Sequence, residues 1–191
     1  MTETELHDLL VRLMPHVQAL TGLSSRWNGT ILLSEEVDGF GNPTFAGKKH
    51  WDCSILLHRA FLLQPGLFAR LIHEALHCVS AGVEPKAYQQ FPGWEEGVVE
   101  HLTRLLGPGI AAELGWKDAF AARVSYNPEL VCLEKLRSVV QREAKPFYVR
   151  LLQTPLGRRE QTVVQWAIEA HAEIAPARVL ARIAADLRGL K

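Results

Sequence analysis

The sequence predicts an α+β domain, and three observations predict it: short apolar runs flanked by turn formers in the first 60 residues, a switch to helical spacing after Gly66, and amphipathic stretches from there to the end. Residues 4–20 carry Leu6, Leu9, Leu10, Leu13, Val17 and Leu20 at intervals of three and four. That spacing predicts an amphipathic helix ending near Gly22, kinked or split at Pro15. Residues 30–33 follow the Asn28-Gly29 pair, residues 51–57 precede a Gln-Pro-Gly break at 64–66, and both runs read as strands. Between them, residues 38–43 and 47–50 are dense in turn formers and predict a surface loop, the rim of a cleft. After Gly66, Leu67, Leu71, Ile72, Ala75, Leu76 and Val79 fall on one broad helical face, and Gly82 is placed to end that helix in the left-handed region. Pro85, Pro92 and Gly93 bound a loop. A second helix is expected from about Trp94 to Leu106, ended by Gly107-Pro108-Gly109, with further helices at about 109–122, 128–143, 159–173 and 176–188. The expected organisation is one domain, residues 1–191, made of a helix and sheet (1–66), two central helices (67–106) and a helical remainder (107–191).

Composition narrows the functional classes. Apolar residues make up 48% and charged residues 22% of the chain, which excludes a disordered or collagen-like protein. The formal net charge is zero, so no basic field is available to hold nucleic acid or an anionic membrane. Cys53, Cys78 and Cys132 are odd in number and scattered, which suits a reducing compartment better than a disulfide scaffold. The N-terminal residues lack a basic flank followed by an uninterrupted apolar stretch, and no run approaches the roughly 20 apolar residues of a membrane span. A soluble, cytoplasmic protein is expected.

The chemistry is concentrated in His73-Glu74-Ala75-Leu76-His77, a His-Glu-x-x-His pattern on a predicted helix. Residues i and i+4 of a helix share a face, so both imidazoles can reach one ion. Glu74 is turned about 100° from His73, which sets its carboxylate beside the metal rather than on it. There it can take a proton from a zinc-bound water and pass it to a leaving amine. A catalytic zinc takes three protein ligands and keeps one position open, so the third ligand decides whether the motif is more than coincidence. A third histidine six residues past the motif is excluded, because Ser80 and Val83 stand where glycine and histidine would be needed. A cysteine ligand from upstream would have to be Cys53, whose Trp-Asp-Cys-Ser surroundings lack a preceding glycine.

Glu96, in Trp94-Glu95-Glu96-Gly97, is the stronger candidate, separated from His77 by eighteen residues and in the first turn of the next predicted helix. Over about 28 residues, from His73 to Glu100, the chain resembles the gluzincins, whose aminopeptidase branch has His-Glu-x-x-His, eighteen residues, then Glu-Gly. Arg70 departs from the small or apolar residue common three positions before the first histidine, and the exopeptidase motif of the Gly-Ala-Met-Glu-Asn type is absent. The resemblance therefore implies a zincin-like fold, a zinc ion held by His73, His77 and Glu96, and water chemistry, but no aminopeptidase substrate. It also implies a supporting role for Glu100, whose carboxylate would accept the second ring N–H of His73; the alternative is a solvated carboxylate on an exposed helix face. Glu95 reads as a surface or rim residue.

A peptidase also needs a donor for the developing oxyanion, for which the family commonly uses Tyr or His. Tyr88, Tyr126, Tyr148, His101 and His171 are available, and Tyr126, just before the helix at 128, is the first choice. His101 follows Glu100 and points off the metal-facing side, which reads as structural, while His7, His16, His50 and His58 lack a partner at ligand spacing and read as ordinary surface or satisfied histidines. Cys78 reads as core. The family places an edge strand along its cleft, and the strand at 51–57 is the candidate for pairing with an extended substrate. The expected function is zinc-dependent hydrolysis of a peptide or protein substrate. The competing readings are a metal-containing binding domain without turnover and a regulated protease with one target.

Overall fold

The computed structural model describes residues 1–64, 66–116 and 125–191. Among these the protein is α+β, with eight α-helices and a three-stranded sheet. It forms two compact units, Met1–Val79 with Thr103–Arg123, and Ser80–Leu102 with Val124–Lys191.

In the first unit, α1 spans Glu3–Thr21. Thr2 starts it with a capping box: its hydroxyl accepts the Glu5 N–H at 3.2 Å, and the Glu5 carboxylate accepts the Thr2 N–H at 2.7 Å. Gly22, at φ 68°, ends it in the left-handed region that a Cβ disfavours. Pro15 lies inside α1 and does not split it, because Leu9, Leu10, Leu13, Met14 and Val17 bury one continuous stripe across both halves.

The sheet is made of β1 (Ile31–Ser34), β2 (Gly47–Lys49) and β3 (Ile55–His58) in the order β1-β3-β2. β1 runs parallel to β3 with Ile31 opposite Ile55, and β2 runs antiparallel to it with Gly47 opposite Leu57. Two expectations are corrected here. The strand read at 51–57 is shorter and occupies the centre of the sheet, not its edge. The edges are β1 and β2, and β2 lies inside the stretch expected to be loop: a Gly-Lys-Lys triplet has no apolar alternation, and only pairing with β3 makes it a strand.

α2 spans Leu67–Val79, and every residue in it except Arg70 is buried, so it is the core helix of this unit. α1 packs on α2 and β1, and α2 packs on β2. Gly82 does adopt the left-handed region, at φ 63°, three residues past the end of α2.

In the second unit the segment expected to be a loop forms a short helix, α3 (Pro85–Gln90), whose first position suits the missing N–H of Pro85. α4 runs from Pro92 to Glu113; its first half belongs to this unit and its last turns to the first. It begins two residues earlier than expected, which puts Glu96 in the second turn, and it continues through Gly107-Pro108-Gly109. Part of the clash that bars the helical region before a proline involves the preceding residue's Cβ, and Gly107 has none. The helix expected at 109–122 is thus the tail of α4, and residues 117–122 lie outside the described ones. The helix expected at 128–143 is α5 (Asn127–Val140), ended at Gln141, left-handed at φ 54°, and a further helix, α6 (Ala144–Gln153), follows where none was expected. α7 (Arg159–Ala170) and α8 (Pro176–Arg188) follow, and α5, α7 and α8 pack against one another. No described helix is long and apolar enough to cross a membrane.

Candidate metal centre

His73 and His77 stand one turn apart on α2 with 4% and 6% of their surface exposed, and their Nε2 atoms are 3.1 Å apart. Glu96, on α4, is 9% exposed. One ligand atom from each of the three lies within 4.8 Å of the other two, so the residues expected to share an ion do form a group able to hold one. Their chemistry fits: nitrogens bound at about 2.0–2.1 Å on a tetrahedral zinc are about 3.3 Å from each other, close to the separation of the two imidazoles. Two neutral rings and one carboxylate also leave a coordination position open.

Glu74 is 5% exposed and lies against the edge strand β2. A Cβ added to Gly47 would stand 2.9 Å from Glu74 Oε1 and 3.1 Å from Leu57 Cδ2, so the carboxylate approaches the β2 backbone closely enough that a side chain at 47 would displace it. Glu100 is completely buried, which removes the alternative of a solvated helix face. Between the two carboxylates of α4, Gly97 matters for packing, since a Cβ there would meet Leu133 Cδ1 at 2.7 Å and Glu129 Cβ at 3.1 Å, on α5. The Glu-Gly step of the motif thereby lets α5 approach the helix that carries Glu96.

Tyr88 Oη donates a hydrogen bond of 2.6 Å to Glu96 Oε1. Burial, reinforced by the Glu96 charge and by that bond, pushes the Tyr88 hydroxyl well above the usual phenol range, so it remains a donor. Tyr126, the first-choice oxyanion donor, is half-buried at the start of α5 with a left-handed backbone, φ 59°, and lies within electrostatic reach of Tyr88. A non-glycine residue in that region costs of order 1–3 kcal/mol and persists only when its surroundings enforce it.

The other candidates are engaged elsewhere. Tyr148 donates at 2.6 Å to Glu134 Oε1, and His101 stacks on the Tyr148 ring with centroids 3.6 Å apart and its Nε2 3.4 Å from the same carboxylate. His171 Nε2 bonds the Val139 carbonyl at 3.0 Å. His58 is buried and caps the turn at Arg59–Phe61, its Nδ1 accepting the Ala60 N–H. Cys78 is core, and burial pushes its thiol far above the usual range.

Glu95 is not a surface or rim residue. It is fully buried and forms an ion pair of 2.8 Å with Nη1 of Arg159, itself fully buried at the start of α7. Arg159 also donates to the Trp94 carbonyl (3.0 Å), the Thr154 carbonyl (3.3 Å) and Ser80 Oγ (2.6 Å), and Ser80 donates onward to Glu95 Oε2 at 2.8 Å. Burial lowers the Arg159 pKa, and the Glu95 carboxylate opposes that shift. Nothing in the sequence pairs residues 95 and 159; only the fold brings them together.

Comparison with protein-family models, with curated proteins and with solved structures finds no match to this chain.

Proposed function

We propose that this chain is a zinc-dependent peptidase of zincin-like fold, with His73, His77 and Glu96 as metal ligands and Glu74 as general base and then general acid. The observation that carries the reading is the grouping of those three ligand atoms, two of them 3.1 Å apart, in largely buried surroundings. A zinc ion in such a donor set supplies a Lewis acid that lowers the pKa of water towards about 7 and polarises a carbonyl. Glu74 is the residue to accept the proton of the attacking water and return it to the leaving amine, a role worth about 10²–10⁴-fold in rate. Glu100 is proposed to orient His73 by accepting its second ring N–H. Tyr126 is proposed to donate its hydroxyl to the developing oxyanion.

The substrate side of the reading rests on β2. As the edge strand beside Glu74, it offers backbone groups with which an extended peptide can pair, so the substrate class is a peptide or an unfolded protein segment. The expected location of such an enzyme is the cytoplasm.

The test is a peptide-library digest with zinc-loaded protein, a chelator control and the Glu74→Gln variant. The expected result is cleavage that the chelator abolishes and that falls at least about 100-fold in the variant at unchanged zinc content. A wild-type protein that holds stoichiometric zinc, cleaves nothing and binds peptides as Glu74→Gln does is a binding domain and not an enzyme.

A further inference from the structure

We infer that Tyr88 is a positioning residue for the metal ligand Glu96, fixing which carboxylate oxygen is presented to the ion. The inference rests on the metal reading above and adds a residue that neither the motif nor its spacing contains. Its observation is the bond of 2.6 Å from Tyr88 Oη to Glu96 Oε1, a length typical of a hydroxyl donating to an ionised carboxylate. The terminal torsion of a glutamate is broad and roughly two-fold, so an unrestrained Glu96 could present either oxygen, or both. A donor on Oε1 breaks that symmetry. Oε2 is then the oxygen presented to the ion, and Glu96 binds through one oxygen.

The local fold supplies the donor. Pro85 begins α3 at its first position, and the helix makes the turn and a half that carries Tyr88, eight residues before Glu96, back to the carboxylate. Tyr88 is half-buried, and its hydroxyl donates to a ligand side chain. Partners of this kind are worth about 10–100-fold in metal affinity.

The experiment compares wild type, Tyr88→Phe and Glu96→Ala, with zinc affinity measured by chelator competition and the visible spectrum recorded after cobalt(II) substitution. Phenylalanine keeps the ring and removes the hydroxyl, and circular dichroism confirms the fold. The expected result is about a 10–100-fold weaker zinc affinity for Tyr88→Phe, with weaker cobalt bands as the released carboxylate binds through both oxygens and raises the coordination number. Zinc affinity within two-fold of wild type together with an unchanged cobalt spectrum overturns the role of Tyr88 and leaves the metal reading standing. Loss of turnover at unchanged affinity and spectrum overturns it as well, making Tyr88 a transition-state donor. A wild-type protein that takes up no metal, or Glu96→Ala protein that takes it up unchanged, sinks the metal reading itself and this inference with it.

Discussion

Arg159→Met exchanges a fully buried guanidinium for a shorter, unbranched apolar chain and takes from the buried Glu95 carboxylate the cation that Arg159 supplies. Breaking a buried pair by removing one partner costs about 3–5 kcal/mol, because the charge left behind loses its counter-charge without regaining solvent. Two features set the value within that range. Ser80 still donates to Glu95 Oε2 at 2.8 Å, which retains part of the compensation. Against that, the carbonyls of Trp94 and Thr154 lose a donor. The expected loss is therefore about 3–4 kcal/mol, and at about 2–4 °C per kcal/mol for a chain of this size it lowers Tm by about 6–16 °C. Urea and thermal unfolding at neutral pH, followed by circular dichroism, measure it. The companion variant Glu95→Met/Arg159→Met removes both charges, and an apolar pair in place of a buried ion pair is often neutral or better. It should recover at least half of the loss. A single variant within about 1 kcal/mol of wild type, or a double variant as unstable as the sum of the two singles, would show that the two residues do not compensate each other.

Two further outcomes are expected. Gly47→Ala places a methyl 2.9 Å from Glu74 Oε1, so the carboxylate must shift; peptide hydrolysis should fall by about 10–100-fold with zinc content unchanged, while Gly39→Ala, whose Cβ meets nothing within 4 Å, should have no effect. Glu134 is partly buried, which raises its pKa, but hydrogen bonds from Arg137 and Tyr148 outweigh burial and hold it below the usual glutamate range. Such a group contributes stability that is present above its unfolded pKa and lost as the pH falls through its folded one; Glu134→Gln should flatten the acid limb of Tm measured from about pH 7 to about pH 3, and an unchanged limb would rule Glu134 out as a contributor.

The sequence by itself determined most of the longer helices, though not α3, α6 or the full length of α4, and the local part of the candidate centre. Residues four apart on a helix share a face whatever the rest of the chain does, so His73 and His77 could be paired before any coordinates. The apolar stripes of α1 and α2 were legible for the same reason, and the Phe147, Tyr148, Leu151, Leu152 spacing could have revealed α6 as well. Glu96 was found by its distance along the chain from His77, a regularity of a family and not of a helix. What only the tertiary structure decided are contacts between residues with no periodic relation. β2 is a strand because β3 pairs with it, Glu95 is interior because Arg159 reaches it from 64 positions away, and Tyr88 meets Glu96 because α3 folds back. Local spacing fixes which side chains share a face; the loops that bring faces together leave no period to read.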